Sequence, residues 1–229
     1  MADGATTRTR PPQPAGRAED LPARRLTGGE RRQQLFAVAL RLFAERGYRA
    51  TTMDDVAEAA GVTKPLVYQH FSSKRSLYLE LVDSVAKEMV SAIGRATAAA
   101  EGPRQQVEMG FAAYFDLVVA HESAFRLLYG RNDADDRELG QALRRVEDAI
   151  AEAIEPLIAA GLDPEHRRFL AYAVVGMAEG ASRHWLAARD GAGPTGPAPF
   201  GGAPTAEAQR LASRLADLAW AGLRSVHAD

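Results

Sequence analysis

Two short helix-forming segments lie between Thr52 and Phe71, and only Gly61 and Val62 separate them. Thr52 stands before Met53-Asp54-Asp55, a threonine cap followed by acidic residues where the helix dipole favours them. Thr63 can cap the second segment, which carries Pro65 in its first turn, where a missing N–H costs little. Helices joined by so short a link must cross steeply. Ala57 is small where they approach, Gly61 supplies the positive φ of the turn, and Val67 packs the second helix onto the first. The spacing predicts a helix-turn-helix, whose second helix can project into a DNA major groove. A plain packing pair gives the same local signal.

The rest of the chain reads as helix throughout. Thr27-Gly28-Gly29-Glu30 is a capping box, followed at helical spacing by Leu35, Phe36, Ala39, Leu42 and Phe43 and closed by Gly47. Ser72-Ser73-Lys74 opens a helix running to about residue 100. Further helices are expected over 103–120, 125–129, 135–160, 164–189 and 205–226, with a Pro/Gly-rich loop over 190–204. The expected fold is all-α: an N-terminal three-helix DNA-binding unit over 27–73, and a helical bundle over 74–229 for ligand binding and dimerisation. Residues 1–26 have no hydrophobic periodicity and read as a disordered basic tail. Its Arg8, Arg10, Arg17, Arg24 and Arg25 suit either a solvated tail or an arm entering a minor groove.

Charge supports the division. Residues 1–75 hold 13 Lys and Arg against 8 Asp and Glu, whereas the remainder holds 15 against 22. A basic head on an acidic body fits a polyanion-binding module attached to a part that stays off the polyanion. No cysteine is present, so thiolate metal sites and disulfides are excluded. With no secretory signal and no long apolar run, a cytoplasmic location is expected, without membrane association. No nucleophile elbow, phosphate-binding glycine loop or H-E-x-x-H pair appears, so neither an enzyme nor a cofactor or metal site is expected.

The motifs Phe43-Ala44-Glu45-Arg46-Gly47-Tyr48, Thr51-Thr52-Met53-Asp54-Asp55-Val56-Ala57, Ala60-Gly61-Val62-Thr63-Lys64, Leu66-Val67-Tyr68-Gln69-His70-Phe71 and Lys74-Arg75-Ser76-Leu77-Tyr78 together resemble the TetR-family DNA-binding domain across residues 31–81. The resemblance implies a homodimeric transcriptional regulator, by default a repressor, on a near-palindromic double-stranded operator. It implies phosphate contacts by Thr52, Lys64, Tyr68, His70 and Lys74, and base contacts by Thr63, Pro65, Leu66 and Gln69. Pro65 departs from the glycine or small residue common there. Phe71 reads as core, and His70 also suits a plain surface position.

The body is less specific. Ala173, Gly176, Gly180 and Ala181 permit close helix approach, and Leu211, Leu215, Leu218, Gly222 and Val226 make an apolar face. Both suit the family's dimer bundle or an intrachain core. Phe111, Phe115, Phe125, Leu128, Val146, Ile150, Val174 and Met177 are candidates for an apolar effector pocket, with Tyr114, Val118, Tyr129 and Trp185 beside them. Aromatics at this spacing also serve as plain core, in which case the body only dimerises. Lys64 to Lys74, Phe125 to Tyr129, Gly161 to Pro164, Val175 to Met177 and Arg183 to Leu186 resemble an actinobacterial group within the family that regulates fatty-acid synthase. That likeness implies a small apolar effector such as a long-chain acyl-CoA.

Overall fold

The computed structural model describes residues 26–129, 137–158, 161–192 and 204–226 of the protein. These form nine α-helices and no strand: α1 Gly28–Ala50, α2 Met53–Ala59, α3 Lys64–His70, α4 Lys74–Ala98, α5 Pro103–Ala120, α6 Glu122–Tyr129, α7 Arg137–Ile154, α8 Pro164–Ala192 and α9 Pro204–Leu223. The basic tail over 1–25 and most of the Pro/Gly-rich segment lie outside the described residues.

Helix boundaries follow local chemistry. The expected capping box is made at the start of α1, with Glu30 N–H donating to Thr27 Oγ1 and Thr27 N–H to the Glu30 carboxylate. Gly47, at φ 83°, breaks the helical path of α1 before the chain turns toward α2. Four ends differ by three residues or more from the sequence expectation, the largest at α7. The helix expected to continue to residue 160 ends at Ile154 and gives way to a single 3-10 turn, Glu155–Leu157. Pro156 is the cause, because it offers no amide hydrogen and its ring clashes with the preceding turn.

Leu35, Ala39, Leu42 and Phe43 of α1 meet Met53, Val56 and Ala57 of α2 and Val67 of α3 in one buried cluster. The first turns of α4 complete it. Tyr78 packs edge-on against Phe43, with ring centroids 5.4 Å apart, and against Tyr48 at 5.0 Å. Its hydroxyl donates to the Leu127 carbonyl of α6 at 3.3 Å. α4 therefore belongs to the cores at both of its ends.

In the body, α5 is the central helix and packs against α4, α6, α8 and α9. α9 turns Ala208, Ala212, Ala216 and Ala219 inward, small side chains that allow close approach to α5. Leu211 and Leu215 sit half-buried at the flank of this face, while Leu218 turns outward, 61% exposed. On α8, Ala173 and Gly176 are exposed, and Phe169 is 68% exposed. The Trp185 indole N–H of α8 donates to the fully buried Glu207 carboxylate of α9 at 2.9 Å. Arg189 supplies the countercharge at 3.6 Å.

Candidate functional site

Two backbone hydrogen bonds close the α2–α3 turn. Val62 N–H donates to the Ala57 carbonyl at 2.9 Å and Gly61 N–H to that of Glu58 at 3.0 Å, with Gly61 at φ 65°. These are the paired bonds of a Schellman turn, which seat α3 across α2, and the Gln34 side-chain amide adds a bond to the Ala60 carbonyl at 3.3 Å. Val67 is wholly buried against α1 and α2, so the opposite face of α3 is presented outward. Thr63, Lys64, Pro65, Tyr68 and Gln69 are exposed there, while Leu66 and His70 are half-buried. Tyr68 is 45% exposed, an unusual position for a large aromatic ring without a partner surface.

The nine expected DNA contacts separate into two kinds. Thr63 makes no capping bond with its side chain, so its hydroxyl is left to the surface. Lys64 reaches the Asp54 carboxylate at 2.9 Å across the turn, a hydrogen bond that raises the lysine pKa. Thr52 is already engaged: its hydroxyl and its amide both donate to the Asp55 carboxylate, at 2.5 and 2.7 Å. Those two bonds hold the Asp55 pKa below its ordinary value. The Asp55 carboxylate thus engages the same hydroxyl and amide of Thr52 from which a phosphate contact is expected.

Lys74 is engaged by the fold as well. Its ammonium donates to the carbonyls of Tyr48 and Thr51, each at 2.9 Å, and sits 4.3 Å above the Tyr48 ring. It fastens α4 to the α1–α2 connection, because several carbonyls and the Tyr48 ring converge there on one ammonium. Arg32 plays a similar part that the sequence did not disclose. It donates to the His70 carbonyl at 2.9 Å, bonds Glu80 of α4, and lies 4.3 Å over the Phe71 ring. Its partners are 38 and 48 residues away, so no local pattern pointed to it.

The body holds an apolar cleft of about 90 Å³, smaller than typical small-molecule sites, so a ligand of that size class must part the helices that line it. α4, α5, α7, the 3-10 turn, α8 and the end of α9 line it with largely apolar side chains. Of the eight expected effector contacts, Phe111, Ile150 and Val174 line the cavity. Phe115, Phe125, Leu128 and Val146 are buried away from it. Phe115 is fixed edge-on between Tyr114 at 5.3 Å and Trp185 at 6.4 Å, and Phe125 packs on Tyr114 at 5.3 Å, so these rings are core. Met177 is half-buried and outside the lining, because it points about 100° away from Ala178 around α8. The sequence reading missed Ile93, Val107, Ile154 and Ile158. Gly110, inside α5 and on the cavity wall, was the available signal: a helix-interior glycine leaves space where a side chain would stand.

Beyond the apolar wall, Tyr114 bonds Ser182 at 2.9 Å, and the Tyr129 hydroxyl is buried without a hydrogen-bond partner. Burial pushes both tyrosine pKa values well up, so both stay protonated. An unmet buried hydroxyl costs about 1–3 kcal/mol. Among the described residues, no cluster of three or more His, Asp or Glu is placed to hold a metal, and no helix is long and apolar enough to cross a membrane.

Residues 35–81 match the family described as bacterial regulatory proteins, tetR family, and residues 103–222 match the tetracyclin repressor-like C-terminal domain. The transcriptional activator FasR of Mycolicibacterium smegmatis is 31% identical over 188 residues, covering 81% of this chain and 86% of that protein. The transcriptional repressor KstR2 of Rhodococcus jostii is 34% identical over 94 residues, 41% of this chain and 46% of the repressor. A TetR-like regulator from Rhodococcus sp. RHA1 superposes with a TM-score of 0.69 at 24% identity, covering 88% of this chain and all of that one. FadR of Bacillus subtilis, solved with stearoyl-CoA, superposes with a TM-score of 0.63 at 14% identity, covering 80% and 97%. At these identities the two structures establish the fold.

Proposed function

This chain belongs to the TetR family of DNA-binding transcriptional regulators, and we propose that it acts as a homodimer whose operator affinity is set by an apolar effector held in the body cavity. One observation carries the reading: α4 borders the cavity with Ile93 and Thr97 and is bolted to the DNA-binding unit at Lys74. From Lys74 to Ile93 is about 28 Å at 1.5 Å per residue. A ligand that spreads the far end of this helix moves the α2–α3 unit at the near end.

Two α3 helices of a dimer must fit successive major grooves about 34–36 Å apart, so a change in their spacing shifts the population between binding and non-binding forms. The exposed face of Thr63, Lys64, Pro65, Tyr68 and Gln69 is the reading surface. The outward stripe of Phe169, Ala173, Gly176 and Leu218 on α8 and α9 is the face for the second copy. α4 joins the two functional parts, 27–73 and 74–229. The effector class is a long-chain acyl group, an acyl-CoA by analogy with the stearoyl-CoA complex of FadR. The output is repression where the dimer covers a promoter.

The test is calorimetry with acyl-CoAs of C12–C20, paired with band-shift assays on an operator selected from random DNA. Binding together with a changed operator affinity supports the reading. Tight operator binding by a dimer that takes up no acyl-CoA would reassign the body to dimerisation alone.

A further inference from the structure

The apolar cleft of the body has two unlike ends. Phe111, Tyr114, Ile150 and Ala178 are buried at its inner end, whereas Pro103 is exposed and Gln106 half-buried at its outer end. Gln106, Gly110 and Tyr114 recur every four residues and share one face of α5, spanning about 12 Å from mouth to floor. Three of the lining side chains carry polar groups. Thr97 Oγ1 donates to the Ile93 carbonyl at 3.0 Å, and the Tyr114 hydroxyl is bonded to Ser182 at 2.9 Å. The Gln106 side-chain amide makes no hydrogen bond among the described residues. No charged side chain lines the cleft among those residues, and Arg104, two positions before Gln106, is already held by Glu108 and Asp217 at 2.7 and 2.9 Å.

A ligand that is apolar at one end and polar at the other therefore enters chain first and leaves its head at Gln106. The free amide N–H groups there suit a carbonyl oxygen. An ionised carboxylate suits the same place poorly, because a charge drawn to the edge of the cleft loses water and meets no cation. Resting on the effector reading of the cleft, we infer that Gln106 binds the uncharged acyl carbonyl of an ester or thioester, with the acyl chain running inward past Gly110 toward Tyr114. Gln106 thus selects the esterified acyl group over the free acid, and Gly110 leaves the chain its path along α5.

The probes are octane, methyl octanoate and octanoate, titrated into the full-length protein by calorimetry, with wild type compared against Gln106→Leu and Gly110→Ala. Wild type should bind methyl octanoate about tenfold more tightly than octane, and octanoate no better than octane. Gln106→Leu should erase the ester preference while leaving octane affinity unchanged. It removes an amide without a partner, so the ligand-free melting temperature should not fall. At Gly110 an added Cβ lies 3.4 Å from Thr97 Cγ2, an ordinary contact, so Gly110→Ala keeps the fold. Its methyl should weaken all three ligands alike, by about tenfold. Equal binding of octane and methyl octanoate, preferred binding of octanoate, or an ester preference that survives Gln106→Leu would overturn the role of Gln106 and leave the cleft as the effector site. Unchanged binding by Gly110→Ala would overturn the path along α5. Binding of none of the three by wild type would overturn the effector reading along with it.

Discussion

The α2–α3 turn and the α5–α9 body satisfy their polar groups over very different chain distances. In the turn, Thr52 and Asp55 cap each other three residues apart, and Gly61 and Val62 close back on Glu58 and Ala57. In the body, Tyr114 finds Ser182 68 residues away, Arg126 finds Asp190 64 residues away, and Trp185 finds Glu207 across the α8–α9 connection. Short-range pairs form as soon as a helix forms. Long-range pairs exist only once the bundle is packed. The DNA-reading surface is therefore held by local geometry, whereas the cavity and its polar neighbours depend on how whole helices are juxtaposed.

The largest expected effect lies in the body. Glu207→Ala removes a fully buried carboxylate, leaving the Trp185 indole N–H without its acceptor and Arg189 without its countercharge. It should destabilise the protein by about 3 kcal/mol in urea denaturation. A loss below 1 kcal/mol would mean that the body does not depend on distant bonds in this way.

Lys74→Met keeps the apolar stem but gives up the carbonyl and ring contacts of the ammonium, at a cost of about 2 kcal/mol. The slope of operator affinity against salt should stay at the wild-type value. A shallower slope would restore Lys74 as a phosphate contact. Gly61→Ala meets no neighbouring atom within 4 Å, so its cost is the positive φ alone, about 1 kcal/mol in the same denaturation experiment. A neutral result would mean that the turn relaxes freely.

The smallest effect on stability is expected for Lys64→Ala, which loses only an exposed ion pair with Asp54. The melting temperature should hold, while operator binding weakens and its salt slope falls by about one. Lys64 and Lys74 thus make a matched pair, one expected to serve DNA and the other the fold. Equal salt slopes in the two variants would remove that distinction.

The α1 capping box, the breaks at Gly47 and Gly61, the start of α5 at Pro103 and the exposed face of α3 were all legible in the sequence. Each depends on residues within about four positions, where helix sterics and capping leave few alternatives. Pro156 stands inside the segment expected to run as helix to residue 160, and its missing amide hydrogen is the local signal for the break after Ile154. The chain alone determined an all-helical protein with a helix-turn-helix near its start. Tertiary packing decided that the Lys74 ammonium is taken up by the Tyr48 and Thr51 carbonyls, whereas Lys64 pairs with Asp54 at the surface. It also decided which apolar side chains border the cavity. Periodicity identifies the inward face of a helix, but only the neighbouring helix determines whether that face meets another side chain or open space.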